Sequence, residues 1–176
     1  MGRPKALLPW QGTTLLEWLA ARLSPGFTTL LVAATDLALV PESLRARAVL
    51  DGQPGQGPLA GLVAGFRVAP HRPLVAVACD MPNVTPALLR RLLSASRGWD
   101  AAVPCLAGRA QATCAAYQPC AAAALERALL RGQLKLQDAL GSLVVNWLAG
   151  VEPRLFENVN TPSDYRRLSD ETGDRR

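Results

Sequence analysis

Two aspartates each close an apolar run. Leu74 to Cys79 is apolar, stops at Asp80, and continues as Met81-Pro82. The run ARAVL ends in the same way at Asp51, followed by Gly52. A carboxylate in that place has two readings. It is a turn residue that hydrogen-bonds its own backbone, or a charge held at the tip of a buried strand, where open α/β sheets bind ligands. In the second reading Asp80 is the better metal candidate. Mg2+ takes hard oxygen ligands, often one or two carboxylates plus substrate phosphates. Lys5 lies in RPKALLP, a short loop stiffened by Pro4 and Pro9 ahead of a helix. It is either a solvated charge or a point charge for a phosphate. Asn158 and Asn160 alternate about Val159, so on an extended backbone they point the same way; their other reading is a capped loop.

The glycines at 52, 55, 57 and 61 do not make G-x-G-x-x-G, because Gly57 and Gly61 are four apart. A loop of close backbone approach remains, with Pro58 suited to a first helical position. His71 is the only histidine and sits among prolines, as a surface loop residue does. No Ser/His/Asp or Cys/His set is visible.

Alternating elements must position these residues. Thr14-x-x-Glu17 is a capping box ahead of LLEWLAARL, which has helical spacing. Apolar runs at 28–35, 46–51 and 73–80 read as strands, and DAAVPC, ATCAAYQ and LVVNWL as three more. Between them lie helices beginning at Pro58 and at Thr85-Pro86, the Ala-rich CAAAALERALL stopped by Gly132, the short LQDALGSL, and a last helix opened by Thr161-Pro162. Strands that are apolar throughout and alternate with helices predict an α/β fold: a three-layer α/β/α sandwich with a Rossmann-like, mostly parallel sheet. Residues 1–170 read as one domain and 171–176 as a frayed tail.

Composition narrows the partners. The chain has 176 residues, 49% of them hydrophobic and 19% charged, with a net charge of +5. That suits a folded domain with an anionic small-molecule partner. The basic residues are scattered, so the footprint of a nucleic-acid protein is missing. No apolar run reaches the ~20 residues of a membrane span. Four cysteines without a C-x-x-C pair predict no structural disulfide or zinc site and a cytoplasmic protein.

In order and spacing, RPKALLPW, then D-x-x-x-G-x-GPLAG from Asp51 to Gly61, then ACDMP, then NVNTPSD resemble the molybdenum cofactor guanylyltransferase family over nearly the whole chain. The resemblance implies a sheet of nucleotide-diphospho-sugar-transferase type. It also implies a reaction: GTP and molybdopterin, with or without molybdenum, give the guanine dinucleotide cofactor and pyrophosphate. Asp80 then becomes a Mg2+ ligand rather than a turn residue. Lys5 would steady the triphosphate, Asp51, Gly57 and Pro58 would contact the nucleotide, and Asn158 and Asn160 would line the pterin side. The expected protein is a monomer that meets cofactor-biosynthesis proteins and apo-molybdoenzymes transiently. The chain departs from the family in two places. VAATD stands where the family often has an asparagine, and the first strand with its Gly-rich signature is expected to be missing, which would leave a weakly stable and weakly active chain. A cytidylyltransferase of the same fold, a sugar-nucleotide pyrophosphorylase and a non-catalytic cofactor-delivery module are the rival readings.

Overall fold

The computed structural model describes residues 4–52 and 57–173. Met1 and Gly2, Gly55, and the last three residues of the tail lie outside them. A small hairpin comes first, β1 (Pro9–Trp10) against β2 (Thr13–Thr14), closed by Gln11 and Gly12, both at positive φ. The sequence reading left this hairpin out, because Gln-Gly is a weaker form of the Asn-Gly turn signal. Thr14 then caps α1 (Leu15–Leu23): its hydroxyl accepts from the Glu17 amide at 3.2 Å, and the Glu17 carboxylate accepts from the Thr14 amide at 3.1 Å. Leu15, Leu19, Ala20 and Leu23 make the buried stripe that the spacing requires.

The remaining elements follow in the expected alternation. They are β3 (Val32–Ala34), β4 (Ala48–Leu50), α2 (Gly57–Val68), β5 (Leu74–Val77), α3 (Pro86–Ala95), β6 (Ala101–Leu106), β7 (Arg109–Ala110), β8 (Cys114–Tyr117), α4 (Ala122–Leu130), α5 (Leu136–Ala139), β9 (Val145–Leu148) and α6 (Pro162–Gly173). β3 is shorter than its apolar run, since residues 28–31 lie outside the ladder. Apolar character marks burial, whereas a ladder also needs a partner strand.

The sheet is in two pieces. β3 and β4 pair in parallel. The larger piece runs β5-β8-β6, with β9 parallel beside β6 and β7 extending its far end. β5, β6 and β9 share one direction. β8 is reversed because the chain folds back after β6 through the two-residue turn Ala107-Gly108, and a two-residue connection returns antiparallel. Among the described residues β3 and β5 each have one ladder partner. α2 bridges the pieces. A Cβ on Gly61 would come within 2.9 Å of Ala33 Cβ, and one on Gly65 within 3.1 Å of Leu74 Cδ1. These two residues, one turn apart, let a single helix press on both sheets.

Three layers result, as expected. Leu59, Val63 and Phe66 of α2 join Leu125 of α4 and Leu136 of α5 on one face. Leu19 and Leu23 of α1 join Leu88 and Leu92 of α3 on the other, with Met81 and Val84 between them. No described helix is long and apolar enough to cross a membrane.

Candidate functional site

Asp80 leaves β5 through a short extension. The Ala78 amide still donates across the sheet, to Thr113 at 2.8 Å, and the Met81 amide turns back onto the Ala78 carbonyl at 3.3 Å. Met81 and Val84 are buried beneath that turn and pin it to the core. The apolar run therefore ends on a carboxylate because the strand ends there, on a rigid mount. The Asp80 carbonyl is held as well, accepting from the Val159 amide at 2.9 Å.

Lys5 reaches Asp80 from the other end of the chain. It opens a single 3-10 turn, Lys5–Leu7, after Pro4 at φ −56°. Leu8 follows into an apolar knot with Trp10, Leu15, Val159 and Leu168. That knot brings the first and last described segments together. In consequence the Lys5 ammonium donates to Asp80 Oδ2 at 2.8 Å and to Asn160 Oδ1 at 2.6 Å. The Asp80 side chain is 17% exposed and that of Lys5 36%, so the ion pair is partly buried rather than free in solvent.

Asn160 is set by its own helix. Asp164 Oδ2 accepts from the Thr161 amide at 2.8 Å and the Asn160 amide at 3.2 Å, while the Thr161 hydroxyl accepts from the Asp164 amide at 3.1 Å. Hydrogen bonding from the Thr161 side chain first, then from the Thr161 and Asn160 amides, holds the Asp164 carboxyl below its usual range. Tyr165 donates to the Pro9 carbonyl and meets Trp10 edge to face, which docks α6 on the hairpin. Val159 is fully buried and Asn160 meets the Lys5 ammonium. Asn158 joins neither Lys5 nor Asp80 by a hydrogen bond, and its Oδ1 is buried without a hydrogen-bond partner among the described residues.

Asp51, Gly57 and Pro58 form a second group, where β4 gives way to α2. The Asp51 amide extends the ladder to the Ala34 carbonyl at 3.1 Å. Its Oδ1 is buried without a partner among the described residues, and burial pushes its carboxyl up, a backbone bond partly opposing. Gly57 has φ +67°, and a Cβ there would lie 2.6 Å from the Leu134 carbonyl oxygen. That position takes glycine for two reasons: the left-handed backbone and the approach of the loop before α5. Pro58 follows it, exposed, in the first turn of α2. Among the described residues no hydrogen bond or ion pair joins this group to Lys5, Asp80 or Asn160.

The chemistry follows from these donor sets. A carboxylate just past a strand end, with an ammonium and one amide oxygen beside it, suits a polyphosphate and its counter-ion. No described group of three or more His, Cys, Asp and Glu side chains is placed to hold a metal alone. Asp80 therefore fits an ion that completes its shell with phosphate and water oxygens, as Mg2+ does. Cys79, beside Asp80, is no thiolate nucleophile: burial pushes its thiol up, Asp80 adds to the shift, and Lys5 opposes it. His71 is exposed in its loop.

Two contributors were missed in the sequence. Asp164 was readable, since Thr161-x-x-Asp164 is a form of the capping box. Asn83 was not. Its amide donates to the Arg154 carbonyl at 3.2 Å and to Glu157 at 3.4 Å, and Glu157 pairs with Arg167 at 3.1 Å. This second tie between the Asp80 turn and the asparagine segment joins residues 74 apart.

Residues 1–146 match a family described as the MobA-like NTP transferase domain. A relative from Chloroflexus aggregans, named "Probable molybdenum cofactor guanylyltransferase", is 34% identical over 169 residues, covering 89% of this chain and 79% of its own. One of the same name from Bacillus licheniformis is 33% identical, covering 95% and 89%. The crystal structure of molybdopterin-guanine dinucleotide biosynthesis protein A from Archaeoglobus fulgidus superposes with a TM-score of 0.83 at 30% identity, over 98% of this chain and 92% of that one.

Proposed function

This chain belongs to the MobA-like NTP transferase family, and from that premise we infer that it is a molybdenum cofactor guanylyltransferase. It transfers GMP from GTP to the terminal phosphate of molybdopterin, free or carrying molybdenum, and releases pyrophosphate. The relatives of that name, matched over most of their length, support the activity. The observation that carries the residue roles is the contact of Lys5, Asp80 and Asn160, which unites three separate sequence motifs at one point.

Phosphoryl transfer of this kind is mostly positioning and neutralising charge. Asp80 holds Mg2+, which when bound offsets charge across the phosphates. Lys5 turns its ammonium to the triphosphate and steadies the leaving pyrophosphate. Asn158 and Asn160 orient the pterin phosphate that attacks the α-phosphorus. Asp51, with an unused buried acceptor, takes a hydrogen bond from the nucleotide, and Gly57 and Pro58 form the wall beside it. The protein works in the cytoplasm as a monomer and meets cofactor-biosynthesis proteins and apo-molybdoenzymes transiently.

The test is turnover. The protein is mixed with Mg2+, molybdopterin and either GTP or CTP, and pyrophosphate and the dinucleotide product are measured. Release with GTP alone is expected. Release with CTP alone would make the protein a cytidylyltransferase, and binding without release would make it a delivery module.

A further inference from the structure

Asp80 is asked to serve two cations. One is the Lys5 ammonium, 2.8 Å from Oδ2. The other is the divalent ion assigned to it above. Nζ also donates to Asn160 Oδ1 at 2.6 Å, so the ammonium lies between two hard oxygens and acts as the site's own counter-ion. We propose that Lys5 is an electrostatic gate: it competes with a bare divalent ion for Asp80, and only a polyphosphate lets both cations stay. The proposal rests on the reading of Asp80 as a cation ligand.

The argument is one of charge. Asp80 brings one negative charge, and no described cluster of acidic side chains stands ready to add more. An ammonium and a divalent ion on one carboxylate leave the site strongly positive. Moving the ion to Oδ1 does not relieve this, because the two cations would still repel at close range at a partly buried site, where screening by water is reduced. A triphosphate reverses the balance, since its oxygens hold the ion and accept from the ammonium together. The side chain can make that exchange without backbone movement. Lys5 carries its charge on a flexible four-carbon stem, while Pro4 and the bond from the Leu8 amide to the Lys5 carbonyl, 3.1 Å, fix its root. The ion therefore enters as its nucleotide complex, not ahead of the nucleotide.

Mn2+ is the probe, followed by the paramagnetic resonance signal of the free ion. It is titrated with and without GTP into the wild-type chain, Lys5→Met, Lys5→Arg and Asp80→Asn, each first shown to be folded by its melt. Lys5→Met is expected to bind bare Mn2+ about tenfold more tightly than wild type and Mn-GTP about tenfold more weakly, a reversal of sign that lost packing would not produce. Lys5→Arg, which keeps the charge, is expected to stay near wild type for the bare ion. Bare-ion affinity in Lys5→Met equal to or below wild type overturns the gate. So does the lack, in every variant, of Mn2+ binding that Asp80→Asn removes. The two readings fail separately. If wild type binds no Mn-GTP but Lys5→Met still tightens on bare Mn2+, the competition stands and the guanylyltransferase reading falls. If Mn-GTP binds and the bare-ion affinity does not rise, the gate falls alone.

Discussion

Asp80 and Asp51 occupy matching places, each at the end of an apolar strand, yet their surroundings are opposite. Asp80 is met by an ammonium at 2.8 Å, and its backbone is tied to a distant loop. Asp51 has a buried oxygen with no partner among the described residues, and burial pushes its carboxyl up. The first carboxylate is satisfied by its own chain. The second carries an uncompensated burial cost, which persists only where something outside the chain, or the rest of the fold, offsets it. Both aspartates belong to the proposed nucleotide site, but one costs the fold little and the other a good deal.

The sharpest way to break this comparison is to neutralise each carboxylate in turn. Asp80→Asn is expected to lower kcat/KM by about a thousandfold with little change in Tm, because it removes charge where transferring phosphates need it. Asp51→Asn is expected to cost only about tenfold, mainly in KM for GTP, and to raise Tm, since a desolvated charge leaves the fold. Equal losses of activity from both, or a lower Tm for Asp51→Asn, would erase the distinction.

Gly61→Ala tests the mount of Asp51. The added methyl would meet Ala33 Cβ at 2.9 Å and Asp51 Oδ2 at 3.3 Å. Crowding of that kind costs about 1–3 kcal/mol. Gly65→Ala, whose methyl meets the movable end of Leu74 at 3.1 Å, is expected to cost less in a denaturant melt. The reverse ranking would mean that α2 does not bear on β3 as described.

The pH dependence of stability sharpens the contrast further. Asp51 has a raised folded pKa, so folding favours its protonated form, and its penalty is fully present above that folded value. The Tm gain of Asp51→Asn should therefore be greatest at neutral pH and shrink as the pH falls toward the ordinary aspartate range. Glu17 behaves in the opposite way. Ser43, then Thr13 and Thr14, donate to its carboxylate and lower it from 4.5 to about 2. Its contribution is present above 4.5 and is lost as the pH falls toward about 2, so Glu17→Gln should flatten the acid limb of the Tm profile in that window. An unchanged limb would show that these hydroxyls do not hold the carboxylate in solution.

The smallest effect concerns aim. Asp164→Ala removes the acceptor that fixes the Asn160 and Thr161 amides. The expected result is a rise of about threefold in KM for the pterin with kcat nearly unchanged, as for a group that only orients. A fall in kcat of similar size would place Asp164 nearer the chemistry.

Much of this was legible along the chain, where causes are local. The capping box of Thr14 and Glu17 and the Thr85 cap that accepts from Leu88 at 3.3 Å each depend on a few neighbouring residues. The hairpins at Gln11-Gly12 and Ala107-Gly108 were lost because neither is a strong turn pair, and with the second went the reversal of β8. The division of the sheet was hidden for another reason: an apolar run records that a strand is buried but not which strand pairs with it. The Lys5–Asn160 contact joins residues 155 apart, and the tie made by Asn83 joins residues 74 apart. In both cases the motif announced the residue and only the fold supplied the partner.

The apolar knot of Leu8, Trp10, Leu15, Val159 and Leu168 has a consequence for how the protein is made. Synthesis runs from the N-terminus at about 5–20 residues per second. Lys5 thus emerges roughly eight to thirty seconds before Asn160, which is 155 residues behind it. Through that interval the hairpin has nothing to close on and Lys5 has no amide to meet. A nascent chain that has not yet released Asn160 can form strands and helices but not the contact of Lys5, Asp80 and Asn160.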